Sequence, residues 1–313
     1  MGASREDDGP DAGIAAFLAS VGSDPQSARQ TGVEAMRAAQ RRRVALRGPG
    51  PQVHAVEDFV VTGTHPTSVR LYRPTADSSP LVVYLHGGGW SIGGLDSHDA
   101  TCRSLAVRAG VAVLAVDYRL APEHPWPGAI EDSYDVVRWA CGASEQLGSG
   151  GRVALAGDSS GANLATLVCL RMRDEGLPAL VGQVLAYPNT DLTLSQPSMR
   201  EKSTGWGLTA SDVEWFVEQW IGGATPASDP RVSPLSEPDL RGLPPAIVVT
   251  AEHDVLRDEG DAYARALAAA GVSVTHRCEP GLVHGFLGLT ESSPAAAAAA
   301  GRLFEDVRRL LRP

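Results

Sequence analysis

The sequence predicts an α/β fold: a mostly parallel central sheet with helices on both faces and a small helical cap. Three observations predict it. Short, wholly apolar runs alternate with helical segments from about residue 81 onward, the rhythm of strands buried on both faces and their crossover helices. One such run, Arg152-Val153-Ala154-Leu155-Ala156, turns into the helical stretch 162–170 through Gly157-Asp158-Ser159-Ser160-Gly161. The chemically reactive residues follow strands, and such a sheet holds its ligands outside the carboxyl ends of its strands.

Taken in order, the first 48 residues are rich in Ala and Arg. They read as one or two helices after a disordered start, and Pro49-Gly50-Pro51 ends the pattern. Residues 53–61 and 68–72 alternate enough for two antiparallel strands. Leu81-Val82-Val83-Tyr84-Leu85 is an apolar strand that runs into His86-Gly87-Gly88-Gly89-Trp90. Residues 101–109 have helical spacing, and the next strand, 111–116, ends at Asp117-Tyr118-Arg119. Helix 129–141, the Ser159 strand with its helix, and strand 181–187 follow. Residues 189–228 break the rhythm with Trp206, Trp215 and Trp220 and a helix over 209–220, capped by Thr209 or Ser211. Alternation then resumes with strand 246–250, helix 259–270, strand 272–277 and a last helix over 295–311, whose alanine run favours helix. The predicted division is therefore 1–48 as N-terminal cap helices, 49–188 and 229–313 as the two parts of the core, and 189–228 as a cap insert.

A chain of 313 residues, 43% of them hydrophobic, can bury a large core. Its net charge of −10 argues against a nucleic-acid partner, and the one basic run, Arg41-Arg42-Arg43, reads as a solvated helix face. Cys102, Cys141, Cys169 and Cys278 match no zinc or redox spacing and are expected as buried thiols. Residues 1–20 lack a charged start followed by a long apolar run, and no apolar stretch approaches a membrane span. A soluble cytoplasmic protein, without membrane, cofactor or metal, is the expectation. The histidines lack ligand spacing such as His-Glu-x-x-His.

Ser159 is the candidate nucleophile. A strand that turns sharply into a helix around Gly-x-Ser-x-Gly presents the hydroxyl above the strand ends, and the glycines make room for the turn. Serine needs a base to take its proton. His284, in the loop after the last strand, is the best placed of eight histidines, with His253 as a rival. The base needs an acid to fix its tautomer. Asp254 is the first aspartate after the strand ending at Thr250, with Glu252 and Asp258 as rivals. Asp258 and Glu259 read as first-turn helix acids that favour the dipole. An oxyanion formed at an attacked carbonyl needs donors, and consecutive glycines offer unobstructed N–H groups. Gly88, Gly89 and Ser160 are the candidates, with His86, Gly87, Gly157, Asp158 and Gly161 in support. Trp90, Tyr187, Trp206 and Trp215 are candidate pocket residues.

These residues together resemble the hormone-sensitive lipase family of α/β-hydrolases, in the branch whose serine motif reads Gly-Asp-Ser-Ala-Gly. The matches are 86–90, Asp117-Tyr118-Arg119-Leu120-Ala121-Pro122-Glu123, 157–165, Tyr187-Pro188, Asp254-Val255-Leu256-Arg257-Asp258-Glu259 and His284-Gly285-Phe286. Ser160 stands where Ala is usual, with only its backbone required, and Val255 stands where Pro is common. The resemblance covers residue 50 onward. It implies a serine carboxylesterase of small acyl esters, with a helical cap from the N-terminal helices and the insert. An amidase or N-deacetylase would use the same residues. A ligand-binding receptor of this kind would lack the histidine that His284 supplies, and no long apolar lid helix marks a triacylglycerol lipase. The expected partner is a small-molecule ester, with a homodimer left open.

Overall fold

The computed structural model describes residues 10–21, 27–46, 48, 50–223 and 225–312. Residues 1–9, on which the expected disordered start falls, lie outside the described residues. Eight strands form one sheet: β1 (Ala55–Thr62), β2 (Pro66–Arg73), β3 (Leu81–Leu85), β4 (Ala112–Asp117), β5 (Val153–Asp158), β6 (Gln183–Ala186), β7 (Ala246–His253) and β8 (Val274–Val283). Their order is β1-β2-β4-β3-β5-β6-β7-β8. β2 runs antiparallel to β1 and β4, and the remaining neighbours are parallel.

The helices are α1 (Ala12–Val21), α2 (Ala28–Thr31), α3 (Val33–Leu46), α4 (Asp99–Ala109), α5 (Gly128–Gly142), α6 (Ser160–Asp174), α7 (Ser198–Glu201), α8 (Ala210–Ile221), α9 (Arg257–Ala269) and α10 (Pro294–Leu310). β3 has no polar residue because it is covered twice. Leu81, Val83 and Leu85 face a core shared with α5, α6 and α9, while Val82 and Tyr84 face a core shared with α4 and α10. Parallel strands buried on both faces read as continuous apolar runs for this reason. The alanine run of α10 is helical, starts at Pro294, and is capped by the Ser293 hydroxyl, which accepts from the Ala296 N–H. No helix among the described residues is long and apolar enough to cross a membrane.

Four details depart from the sequence reading. β8 continues to Val283, so His284 follows the strand directly. Among the described residues up to 46 there are three helices, counting the short α2, and the insert holds α7 besides α8. Cys102 and Cys169 are buried as expected, but Cys141 is half-buried and Cys278 is exposed. β8 is the outer strand of the sheet, and an edge strand has a solvated side where Cys278 sits.

The acids at the start of α9 do more than complement its dipole. The backbone N–H of Ser198, in α7, donates to Asp258 at 2.9 Å. Glu259 is fully buried, and its Oε1 accepts from the Asn189 side chain and the Thr190 N–H at 2.7 and 2.6 Å. The two acids thus tie both ends of segment 189–198 to the core. Burial pushes the Glu259 carboxyl well above the usual range, against the pull of those hydrogen bonds. A carboxyl raised in this way stabilises the fold while protonated and loses that contribution as pH rises through its folded pKa. Glu259→Gln, which cannot ionise, should therefore gain stability relative to wild type as pH is raised above the ordinary glutamate value of 4.5. Urea midpoints at several pH values test this, and a difference flat in pH would refute it.

Candidate active site

The serine turn is built by close approach. A Cβ on Gly157 would lie 2.4 Å from the Gly161 carbonyl, and one on Gly161 would lie 2.1 Å from the Leu85 oxygen. No side chain fits at either position, so strand β5 can meet helix α6 in a single residue. That residue, Ser159, takes φ 56° and ψ −124°, a strained conformation for a side chain with a Cβ. Such strain persists only where the surroundings enforce it, and here the Ser159 N–H donates to the Ala186 carbonyl at 2.9 Å.

His284 bridges the two strand ends beyond it. Its Nε2 lies 2.9 Å from Ser159 Oγ, and its Nδ1 lies 2.8 Å from Asp254 Oδ2. A carboxylate only accepts, so Nδ1 carries the proton and Nε2 is left to accept from the serine hydroxyl. Asp254 is 1% exposed, and its other oxygen accepts from the Leu256 N–H at 2.9 Å. With Val255 in place of proline, the acid loop is held instead by the Ser198 hydroxyl, which donates to the Val255 carbonyl at 2.7 Å. The ring of Tyr187 packs edge-on against His284, with centroids 4.9 Å apart.

The rivals are engaged elsewhere. Glu252 accepts from the Gly281 N–H, and Asp258 holds α7. His253 stacks on Trp206 and accepts from Lys202. His86 is buried, and burial with the nearby His98 lowers its pKa to about 3. It stays neutral and serves the loop, with its ring stacked on Tyr118, whose hydroxyl donates to the His86 carbonyl.

The glycine loop after β3 spends most of its donors on acceptors elsewhere in the fold and within the loop itself. The Gly87 N–H donates to Asp158, the Ser91 and Ile92 N–H groups to the Gly88 carbonyl, and the Gly93 N–H to the Gln40 side chain. The Trp90 N–H donates to the Ser160 hydroxyl at 3.2 Å. Among the described residues, the N–H groups of Gly88 and Gly89 meet no protein acceptor, and neither does that of Ser160 at the start of α6. Asp158 accepts from Tyr84 and Gly87, with His98 at 3.4 Å. Burial raises its pKa, but His98 and these hydrogen bonds outweigh burial and hold the carboxyl below the usual range.

The Ser160 side chain thus has a task that the sequence did not reveal, because its partner is 70 residues away. Ser160→Ala keeps the residue's own N–H but leaves the buried Trp90 N–H without an acceptor. It should cost about 1–2 kcal/mol in urea unfolding, the penalty of one unsatisfied buried donor. Turnover should fall less than about thirtyfold, the rate equivalent of about 2 kcal/mol. A hundredfold loss of turnover at unchanged stability would show that the hydroxyl acts in the reaction.

A cavity of about 490 Å³ opens over Ser159 and His284. Trp90 and Tyr187 line it, but Trp206 and Trp215 are not part of its wall, a correction to the expected pocket. Trp206 is held against His253 at 3.9 Å, and Trp215 is buried edge-on against Phe216. The insert instead contributes Leu208, Val213 and Phe216. Val213 and Phe216 are three residues apart on one face of α8, and Trp215 points about 100° away, given 3.6 residues per turn. The N-terminal helices supply Phe17, Met36, Ala39, Gln40, Arg43 and Val44, none of which the sequence reading selected. Among the described residues, no group of His, Cys, Asp and Glu could hold a metal ion.

Residues 82–288 match a family described as alpha/beta hydrolase fold. The chain is 44% identical over 280 residues to the carboxylic ester hydrolase LipN of Mycobacterium tuberculosis, covering 86% of this chain and 74% of that one. It is 38% identical over 290 residues to an ethyl acetate hydrolase of Pseudomonas putida, covering 88% and 91%. The crystal structure of a thermostable esterase from Pseudomonas putida superposes with a TM-score of 0.92 at 31% identity, covering 98% of this chain and 99% of that one.

Proposed function

Because the chain belongs to the hormone-sensitive lipase family of α/β-hydrolases, we propose that it is a serine carboxylesterase of short- to medium-chain acyl esters acting through Ser159, His284 and Asp254. The observation that carries this reading is the pair of contacts at His284, 2.9 Å to the serine oxygen and 2.8 Å to the carboxylate. Ser159 Oγ attacks the ester carbonyl while His284 Nε2 takes its proton. Asp254 keeps the proton of Nδ1 in place and stabilises the imidazolium that forms. The carbonyl oxygen, now an anion, takes hydrogen bonds from the unspent N–H groups of Gly88, Gly89 and Ser160. The alcohol leaves with the proton returned by His284. Water then attacks the acyl-enzyme with His284 again as base, and the acid is released.

Residues 1–48 and 189–228 are read as one cap. The Ala28 N–H donates to Asp212 of α8 at 2.7 Å, and Arg29 pairs with Glu218. Arg37 of α3 donates to the carbonyls of Ser91 and Ala121 and pairs with Glu123. A cavity of this size, roofed by helices, suits a small ester. The likeness to an ethyl acetate hydrolase supports the short-acyl end of the range. A series of 4-nitrophenyl esters from acetate to palmitate, beside matching anilides, tests the proposal. Esters up to roughly octanoate should turn over well, and palmitate and the anilides poorly. Palmitate cleaved faster than butyrate would sink the capped pocket, and anilides cleaved as fast as esters would make the protein an amidase.

A further inference from the structure

The basic run of α3, Arg41-Arg42-Arg43, is exposed as expected, and one of its residues also faces the cavity. Arg43 lines the wall of the cavity over Ser159, beside Gln40 and Val44. Its place follows from how α3 crosses the glycine loop. Arg37 donates to the Ser91 carbonyl at 2.9 Å, and Gln40 accepts from the Gly93 N–H at 2.9 Å. Arg43 lies three residues further, about one helical turn along the same face. The guanidinium is solvent-exposed and makes no hydrogen bond or ion pair among the described residues.

The other ionisable groups of that wall are engaged. Asp212 accepts from the Ala28 N–H with one oxygen and from the Thr209 hydroxyl with the other. Asp158 is bonded to Tyr84 and Gly87 and lies beside His98, whose other nitrogen meets the Ser97 hydroxyl. His284 is held between Asp254 and Ser159. Among the described residues, Arg43 is thus the one permanent cation of the wall, and it has no counter-charge there, in a chain with net charge −10.

We infer that Arg43 selects esters carrying a carboxylate or other anionic group on the arm that reaches α3. A guanidinium offers a forked pair of donors that matches a carboxylate. The inference rests on the esterase reading above and adds a substrate class to it. The anion can sit on the acyl or on the alcohol side, and both meet the same cation.

The test measures kcat/KM for matched ester pairs at low ionic strength. The acyl arm compares 4-nitrophenyl hydrogen glutarate with 4-nitrophenyl pentanoate, and the alcohol arm compares the butyrate ester of glycolate with ethyl butyrate. In at least one arm, the anionic-to-neutral ratio should fall about fivefold in Arg43→Gln, the upper range for an exposed ion pair. It should fall further in Arg43→Glu, recover in Arg43→Lys, and shrink in wild type as salt is raised. Which arm responds identifies the side that carries the anion. Ratios unchanged by all three substitutions, with neutral esters still cleaved, would overturn this inference alone. A wild-type protein that cleaves neither member of either pair would overturn the esterase reading along with it.

Discussion

Ser159→Ala should leave the protein folded and lower the turnover of 4-nitrophenyl butyrate by about five orders of magnitude or more, the loss seen when a serine nucleophile is removed. The hydroxyl bonds to His284 Nε2, and its removal loses that contact while leaving the fold's other hydrogen bonds in place. The backbone N–H that holds residue 159 against Ala186 is unchanged, and alanine meets the same positive φ that serine does. What remains is an anion site with a base beside it, which can promote direct attack by water only weakly. His284→Ala should cost nearly as much, because the two residues act as a unit and their losses do not add. A circular dichroism spectrum and a melting curve like wild type, with kcat near the uncatalysed level, would be the expected pair of results. Stoichiometric labelling by an organophosphate at a residue other than Ser159 would move the nucleophile elsewhere.

The parts of the site that lie along the chain were legible, and the parts made by docking distant segments were not. The serine turn reads directly because strand, turn and helix are contiguous and the two glycines answer to a local close approach. Asp254 and His284 could be chosen because each follows a strand, although β8 proved longer than its apolar pattern suggested. Its burial is patchy along an outer edge, which blurs the alternation that marks inner strands. The pocket wall failed for a different reason. Trp206 and Trp215 were chosen for their size, but the phase of α8 aims Phe216 at the cavity and Trp215 into the packed core. That phase was available from the 3.6-residue period, since Val213, Phe216 and Trp220 share a stripe. The contribution of α3 was not available, because it depends on where Arg37 and Gln40 dock on the glycine loop. No local pattern encodes a contact between residue 40 and residue 93.

Gly88→Val should reduce turnover by at least about a hundredfold, the cost of losing one oxyanion donor. Two independent features of the loop lead there. Gly88 has φ +128°, a backbone conformation that a β-branched residue does not adopt without strain. A Cβ at this position would also lie 2.2 Å from the Ile92 carbonyl oxygen, a backbone atom that cannot swing aside as a side chain end could. The loop must therefore move, and movement re-aims the N–H groups of residues 88 and 89 while disturbing the Gly88 carbonyl that collects the Ser91 and Ile92 N–H groups. Ser159, His284 and Asp254 lie on other segments and keep their contacts. The loss should therefore fall on kcat more than on KM, because the donors act on charge that develops in the transition state. A small, strongly electrophilic organophosphate should still label Ser159, at a rate reduced by the weakened anion site. Wild-type kcat in a folded Gly88→Val protein would mean that the oxyanion is held by donors outside this loop.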